Sequence, residues 1–182
     1  MLPHAFAIYI SILVCFFFKG SISCGPAVHN EVSERALNWF QALSDNEHDI
    51  YFAKIISSNI NSLQTGVLFP DWGYGCLGYD SESEAAHWSP FLEAAISLLN
   101  SQYQPPYDDE AQKIISFLYG IASHQVADES WHSINMKDGF MNVVDELEFN
   151  NKESSHSILD VGGDFFMKTL NNLDYIRVNL QS

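Results

Sequence analysis

The sequence predicts an all-α fold, and three observations predict it. Apolar residues recur at helical spacing in segment after segment, convincing two-residue alternation is absent, and the glycines and prolines gather between the periodic segments. The chain has 182 residues, of which 47% are hydrophobic and 14% aromatic, enough to bury the core of one domain and outside the range of a disordered chain.

The first helix is expected over residues 29–43, where Val32, Ala36, Leu37 and Phe40 keep the helical period. Residues 49–63 read as a second helix. Residues 64–83, "QTGVLFPDWGYGCLGYDSES", read as a loop because they carry four glycines and Pro70. A third helix starts at "SPFLEAAISLLNSQ", residues 89–102, with Ser89 as cap and Pro90 in the first turn. The "PPY" at 105–107 breaks the chain, and residues 108–133 form a long central helix opened by acidic residues. Residues 139–148 read as a fifth helix. Residues 154–173 give one or two more, with Gly162–Gly163 as a possible break.

Ahead of these elements lies a 14-residue apolar run, residues 5–18, short of the roughly 20 needed to span a bilayer. The small residues Ser21 and Ser23 follow it. Residues 1–23 are therefore expected to be a secretory signal cleaved after Ser23, with an uncleaved anchor as the alternative, since no Lys or Arg precedes the run. Cys15 would leave with the signal. Cys24 and Cys76 would remain, and a secreted protein usually pairs such cysteines. The formal net charge of −15 argues against non-specific nucleic-acid binding and against adhesion to anionic membranes. Bound divalent cations would offset part of it.

The central helix poses a chemical question. His124, Asp128 and His132 are spaced four apart and share one helix face, yet Ile121, Ala122, Val126, Ala127 and Trp131 around them favour burial. His156 and Asp160 repeat the His-x-x-x-Asp spacing. His87 stands just before a helix start, His29 at the opening of the first helix, and Asp71 in a loop stiffened by Pro70. Taken singly, each histidine reads more readily as a surface or hydrogen-bonded core residue. Together they supply imidazoles and carboxylates that are costly to bury unless paired or bound to metal. A His/Asp set without ligating thiolates suits catalytic zinc. His48, in polar "SDNEHDI", reads as solvated surface. Asp164 reads as a helix cap or a support for the cluster, with the structural role favoured.

The order of these residues on an all-α chain resembles the trinuclear zinc phosphodiesterases, which comprise bacterial zinc-dependent phospholipases C and fungal single-strand nucleases. The words "CGPAVHNEVSERAL", "GVLFPDWGY", "AAHWSPFLEAAI", "FLYGIASHQVADESWHS" and "HSILDVGGDF" are similar to the N-terminal catalytic domain of the glycosylphosphatidylinositol-specific phospholipases D, from residue 24 to about 175. The resemblance implies three zinc ions. One would be held by Asp71, His87, His124 and Asp128, and a second by His132, His156 and Asp160. The third would be held by His29, by Asp128 in common, and by the amino group and carbonyl of a mature N-terminus at Cys24. Asp71 would also orient or deprotonate the attacking water.

The resemblance further implies hydrolysis of glycosylphosphatidylinositol or a related phosphoinositide lipid, transient contact with a membrane surface, secretion, no nucleic-acid substrate and no obligate protein partner. Such enzymes carry a long C-terminal β-propeller, so residues 24–182 are expected to be a partial phospholipase domain without it. A zinc nuclease and a non-catalytic zinc-binding protein remain as alternatives. A Cys24–Cys76 disulfide near the cluster is a further expectation.

Overall fold

A computed structural model describes residues 24–149 and 152–176; the expected signal segment lies outside these residues. Among them are eight α-helices and no strand, so the fold is all-α as the periodicity predicts. The helices are α1 (Pro26–Leu43), α2 (Glu47–Ser58), α3 (Ile60–Leu68), α4 (Asp80–Ala86), α5 (Ser89–Gln102), α6 (Asp109–Trp131), α7 (Phe140–Val144) and α8 (Lys152–Leu170). A π-helical turn, Asp145–Phe149, extends α7. No helix among the described residues is long and apolar enough to cross a membrane.

Helix α6 is the axis, and α3, α2, α1 and α5 pack around it. Asp108 caps its start by accepting a bond from the Ala111 N–H at 2.9 Å, and Asp109 and Glu110 follow in the first turn. Ala111, Ile115, Leu118 and Ile121 of α6 bury against Ile55 of α2 and Leu99 of α5. Leu37, Ile56 and Leu63 form a second apolar cluster where α1, α2 and α3 meet. The tightest contact is between α3 and α6. Glycines stand on both sides of it: a side chain at Gly66 would strike the carbonyl of Phe117, and one at Gly120 the carbonyl of Leu63. Each glycine weakens its own helix by about 1 kcal/mol relative to alanine. In return the two backbones touch, and the end of α3 reaches the face of α6 that carries His124.

Several boundaries differ from expectation for local reasons. The helix expected over 49–63 is two helices, broken at Asn59, whose backbone (φ −124°, ψ 46°) leaves the helical region. The second of them runs on to Leu68, into the expected loop. The acidic "DSESEAA" forms α4 rather than loop, because the Ser83 hydroxyl accepts from the Gly73 N–H at 2.6 Å and the Asp80 carboxylate from the Gly75 N–H at 2.8 Å. Trp88, not Ser89, takes the N-cap position of α5, and Pro90 follows within the first turn. The central helix ends at Trp131, with His132 as its C-cap and Ser133 in the left-handed region at φ 58°. Helix α8 is not broken at Gly162–Gly163. Gly163 is where the Trp131 indole lies against the helix, and a side chain there would strike it.

Candidate metal centre

Four segments deliver the donors. His29 comes from the first turns of α1, Asp71 from the turns after α3, His87 from the C-cap of α4, and His124 and Asp128 from successive turns of α6. Their ligand atoms converge. His124 Nε2 lies 3.1 Å from His87 Nε2 and 3.2 Å from Asp128 Oδ2. His87 Nε2 lies 3.3 Å from Asp71 Oδ1 and 3.4 Å from Asp128 Oδ2. His29 Nε2 lies 3.2 Å from Asp128 Oδ1, and the His29 and His124 rings stack with centroids 3.7 Å apart. Asp71 Oδ1 is 3.8 Å from His124 Nε2. His29 and His124 are fully buried, and Asp128 is nearly so.

The tautomers decide whether these residues suit a cation. The Val67 carbonyl accepts from His124 Nδ1 at 2.7 Å, and the Ser83 carbonyl accepts from His87 Nδ1 at 2.8 Å. Each Nδ1 therefore carries the proton, and in the neutral ring each Nε2 presents a lone pair. Two lone pairs then face each other at 3.1 Å with two carboxylates beside them. Such a set is stable only with a positive charge among the donors, and backbone carbonyls fixing the distal nitrogens are the usual support of a histidine metal ligand. The donors fit a divalent ion of the zinc type: imidazole nitrogens and carboxylate oxygens from rigid elements.

The local electrostatics agree. Burial opposes the charged form of Asp128, but without a metal the imidazoles of His124, His132 and His29, when protonated, outweigh it and hold the carboxyl far below the usual range. Burial lowers the pKa of His29. For His87, burial acts against the charged form, yet the bonds to Asp71 and the Ser83 carbonyl outweigh it and raise the pKa. Burial, and then the carboxylates of Asp128, Asp71 and Asp160, push the Cys24 thiol far up.

His132 sits at the edge of the cluster, its Nε2 3.5 Å from Asp128 Oδ1. Asp160, on α8, is buried and accepts from Trp131 Nε1 at 3.0 Å, next in sequence to His132. The backbone of His156 lies in α8 one turn before Asp160, and its side chain falls outside the described residues. The structure thus gathers Cys24, His29, Asp71, His87, His124 and Asp128, with His132 adjoining and Asp160 beyond Trp131. His48 stands apart on the surface beside Asp49. Asp164 has the structural role: from α8 it accepts the Ala27 and Val28 N–H bonds at 2.9 and 3.0 Å, capping α1 from the far end of the chain.

The expected Cys24–Cys76 disulfide is not formed. The Cys24 sulfur turns inward, 3.1 Å from His29 Nε2 and 3.7 Å from Asp128 Oδ1. Cys76 is disulfide-bonded.

A cavity of about 390 Å³ opens over the cluster, with Asp128 and His132 in its wall. Its rim holds a group that the chelator count passed over. The Glu84 carboxylate accepts from Tyr74 Oη at 2.6 Å and from Trp88 Nε1 at 2.8 Å, so one acid fixes two aromatic side chains beside His87. The four-residue spacing of Glu84 and Trp88 was the available signal.

Comparison with known proteins agrees with this chemistry. Residues 28–181 match the family described as zinc dependent phospholipase C. The chain is 34% identical over 170 residues to phosphatidylinositol-glycan-specific phospholipase D of Rattus norvegicus, covering 91% of this chain and 20% of the rat protein. It is 40% identical over 144 residues to the Dictyostelium discoideum protein of that name, covering 78% and 15%. With the Homo sapiens protein it shares 32% over 158 residues, covering 84% and 18%. The chain thus spans a fifth or less of these relatives' length. No solved structure matches it. The chain belongs to the zinc-dependent phospholipase C family, a family of hydrolases.

Proposed function

We propose that the protein is a secreted zinc-dependent phosphodiesterase that hydrolyses glycosylphosphatidylinositol or a related phosphoinositide lipid. The observation that carries this reading is the pair of imidazole Nε2 atoms 3.1 Å apart, both Nδ1-protonated by backbone contacts, among the carboxylates of Asp71 and Asp128 beneath an open cavity. The names of the relatives supply the lipid class. Three zinc ions are the number the full ligand set would accommodate, with His132, His156 and Asp160 serving the second and Cys24, His29 and Asp128 the third.

Zinc, when bound, lowers the pKa of a coordinated water to about 7 and offsets charge on phosphate oxygens. The chain's own residues do the rest. His29, His87, His124 and Asp128 hold the cluster rigid from two long helices and a capped loop. Asp71 Oδ1 lies buried within the cluster, 3.3 Å from His87 Nε2, and is the carboxylate we assign to hold the proton of the attacking water. The rim formed by Tyr74, Glu84 and Trp88 faces the headgroup, and the exposed Trp88 and Val126 make the transient membrane contact. Cleavage after Ser23 would place the new N-terminus at Cys24, beside His29.

The test is direct. Zinc-loaded protein is assayed on a detergent-dispersed glycosylphosphatidylinositol-anchored substrate, with single-stranded DNA in parallel. Lipid cleavage lost on chelation supports the reading; DNA cleavage without lipid cleavage assigns the chain to the nuclease branch. N-terminal sequencing of protein collected from the medium should begin at Cys24.

A further inference from the structure

We infer that the cavity over the metal centre selects a headgroup carrying a single phosphate, and that Glu84 and Glu129 set this selectivity by repelling any further anionic group. The inference rests on the phosphodiesterase reading above and narrows its substrate class to headgroups whose other substituents are uncharged or cationic. The charge of the wall carries it. Among the described residues that line the cavity there is no lysine or arginine, whereas Glu84 of α4 and Glu129 of α6 both line it. A cation bound among the donors is already offset by Asp71 and Asp128 and by the one phosphate it engages. A second phosphate on the headgroup would meet two carboxylates and no fixed cation.

An ordinary exposed glutamate can swing away from an approaching anion. Glu84 is held in place, because Tyr74 Oη donates to one carboxylate oxygen at 2.6 Å and Trp88 Nε1 donates to the other at 2.8 Å. Tyr74 precedes α4 and Trp88 is the N-cap of α5, so two separate segments fix the carboxylate. The same two bonds, Tyr74 first, lower the Glu84 pKa and keep the group ionised. A cavity of about 390 Å³ equals a sphere about 9 Å across, close to the screening length of about 8 Å at physiological ionic strength. A charge anywhere inside therefore stays within electrostatic reach of the wall. Like charges at that distance, at an effective dielectric of about 20 and partly screened, weaken binding by about tenfold. A Glu84 that only propped two aromatic rings would instead affect all headgroups alike.

The experiment titrates the zinc-loaded whole protein with glycerophosphoinositol, its 4-phosphate and its 4,5-bisphosphate, by isothermal calorimetry at low and high salt. Each added phosphate is expected to raise Kd about tenfold at low salt and by less at high salt. Glu84→Gln keeps an acceptor for the Trp88 indole, and Glu129→Gln removes charge alone. Each variant should cut the discrimination between the first and last headgroup by about threefold or more. Equal or tighter binding of the phosphorylated headgroups, or variants that move all three Kd values together, would overturn the inference without touching the phosphodiesterase reading, which lipid cleavage decides. Failure to bind any of the three would overturn both the inference and the phosphoinositide reading of the site.

Discussion

Replacing Asp164 with alanine tests how the far end of the chain holds the N-terminal side of the metal centre. Its carboxylate accepts two N–H bonds in the first turn of α1, the helix that carries His29. Losing a cap of this kind costs about 0.5–2 kcal/mol, and an anion at a helix N-terminus adds about 0.3–1 kcal/mol. Burial works against these gains and, despite the two N–H bonds, raises the Asp164 pKa. A net loss of about 1.5 kcal/mol follows, which for a domain of this size lowers Tm by about 3–6 °C. Because its folded pKa is raised, the stability tied to the protonated form is complete below the unfolded value near 3.8 and is lost as pH rises through the folded pKa. At neutral pH Asp164→Asn keeps an acceptor without that loss, so it should fall less than half as far as Asp164→Ala.

Gly25 sharpens the test. A side chain there would collide with the Asp164 carboxyl, which could only swing away and abandon the cap. Gly25→Ala should therefore cost about as much as Asp164→Ala in the wild type and little in the Asp164→Ala background. The coupling in the double-mutant cycle should equal about the cap itself, roughly 1.5 kcal/mol. The assay is thermal unfolding of the metal-free protein, which separates the cap from metal binding. Additive losses, or an unchanged Tm in Asp164→Ala, would refute the reasoning.

Metal removal should lower stability: a ligand at 100 times its Kd contributes about 2.7 kcal/mol, or about 5–11 °C in Tm, measured by unfolding with and without chelator. His124→Asn, His132→Asn and His156→Asn should each reduce phosphodiesterase activity by more than about 100-fold, the upper cost of losing a mere supporting partner of a ligand. Asp71→Asn should be at least as harmful, and His48→Asn should be silent in the same assay; activity that survives all three histidine changes would end the zinc mechanism. Gly120→Ala should destabilise by about 1–3 kcal/mol through overpacking and should weaken metal uptake, read by denaturant unfolding and elemental analysis.

What could be read from the sequence was what depends on one-dimensional spacing. His124, Asp128 and His132 share a face because α6 keeps its period, and no tertiary detail alters that. The joining of His29, Asp71 and His87 to that face came from their resemblance to a known order, not from local pattern. Helix α4 was hidden because "DSESEAA" has almost no apolar residue to mark a period, and Ser83 and Asp80 bonds to the preceding loop fix it instead. The continuous α8 was hidden because its glycine pair looks like punctuation, while Gly163 in fact makes room for the Trp131 indole. The inward turn of the Cys24 sulfur is not legible, because sequence cannot say which way a side chain turns.

The two glycines between α3 and α6 link the fold to the chemistry. Each is a poor helix residue, and a sequence selected for stability alone would fill both positions. Filling either would push α3 off α6, and with it the Val67 carbonyl that takes the His124 Nδ1 proton. Without that acceptor His124 could turn or change tautomer, and its Nε2 would no longer face the cluster as a lone pair. The converging donors impose a second loss of stability, since neutral nitrogens and carboxylates at 3.1–3.4 Å repel when no cation lies among them. The first loss is present with or without metal, whereas the second falls on the metal-free state and is offset when a cation binds. The fold is thereby coupled to its metal: the features that most weaken the empty protein are those that hold the donors in place.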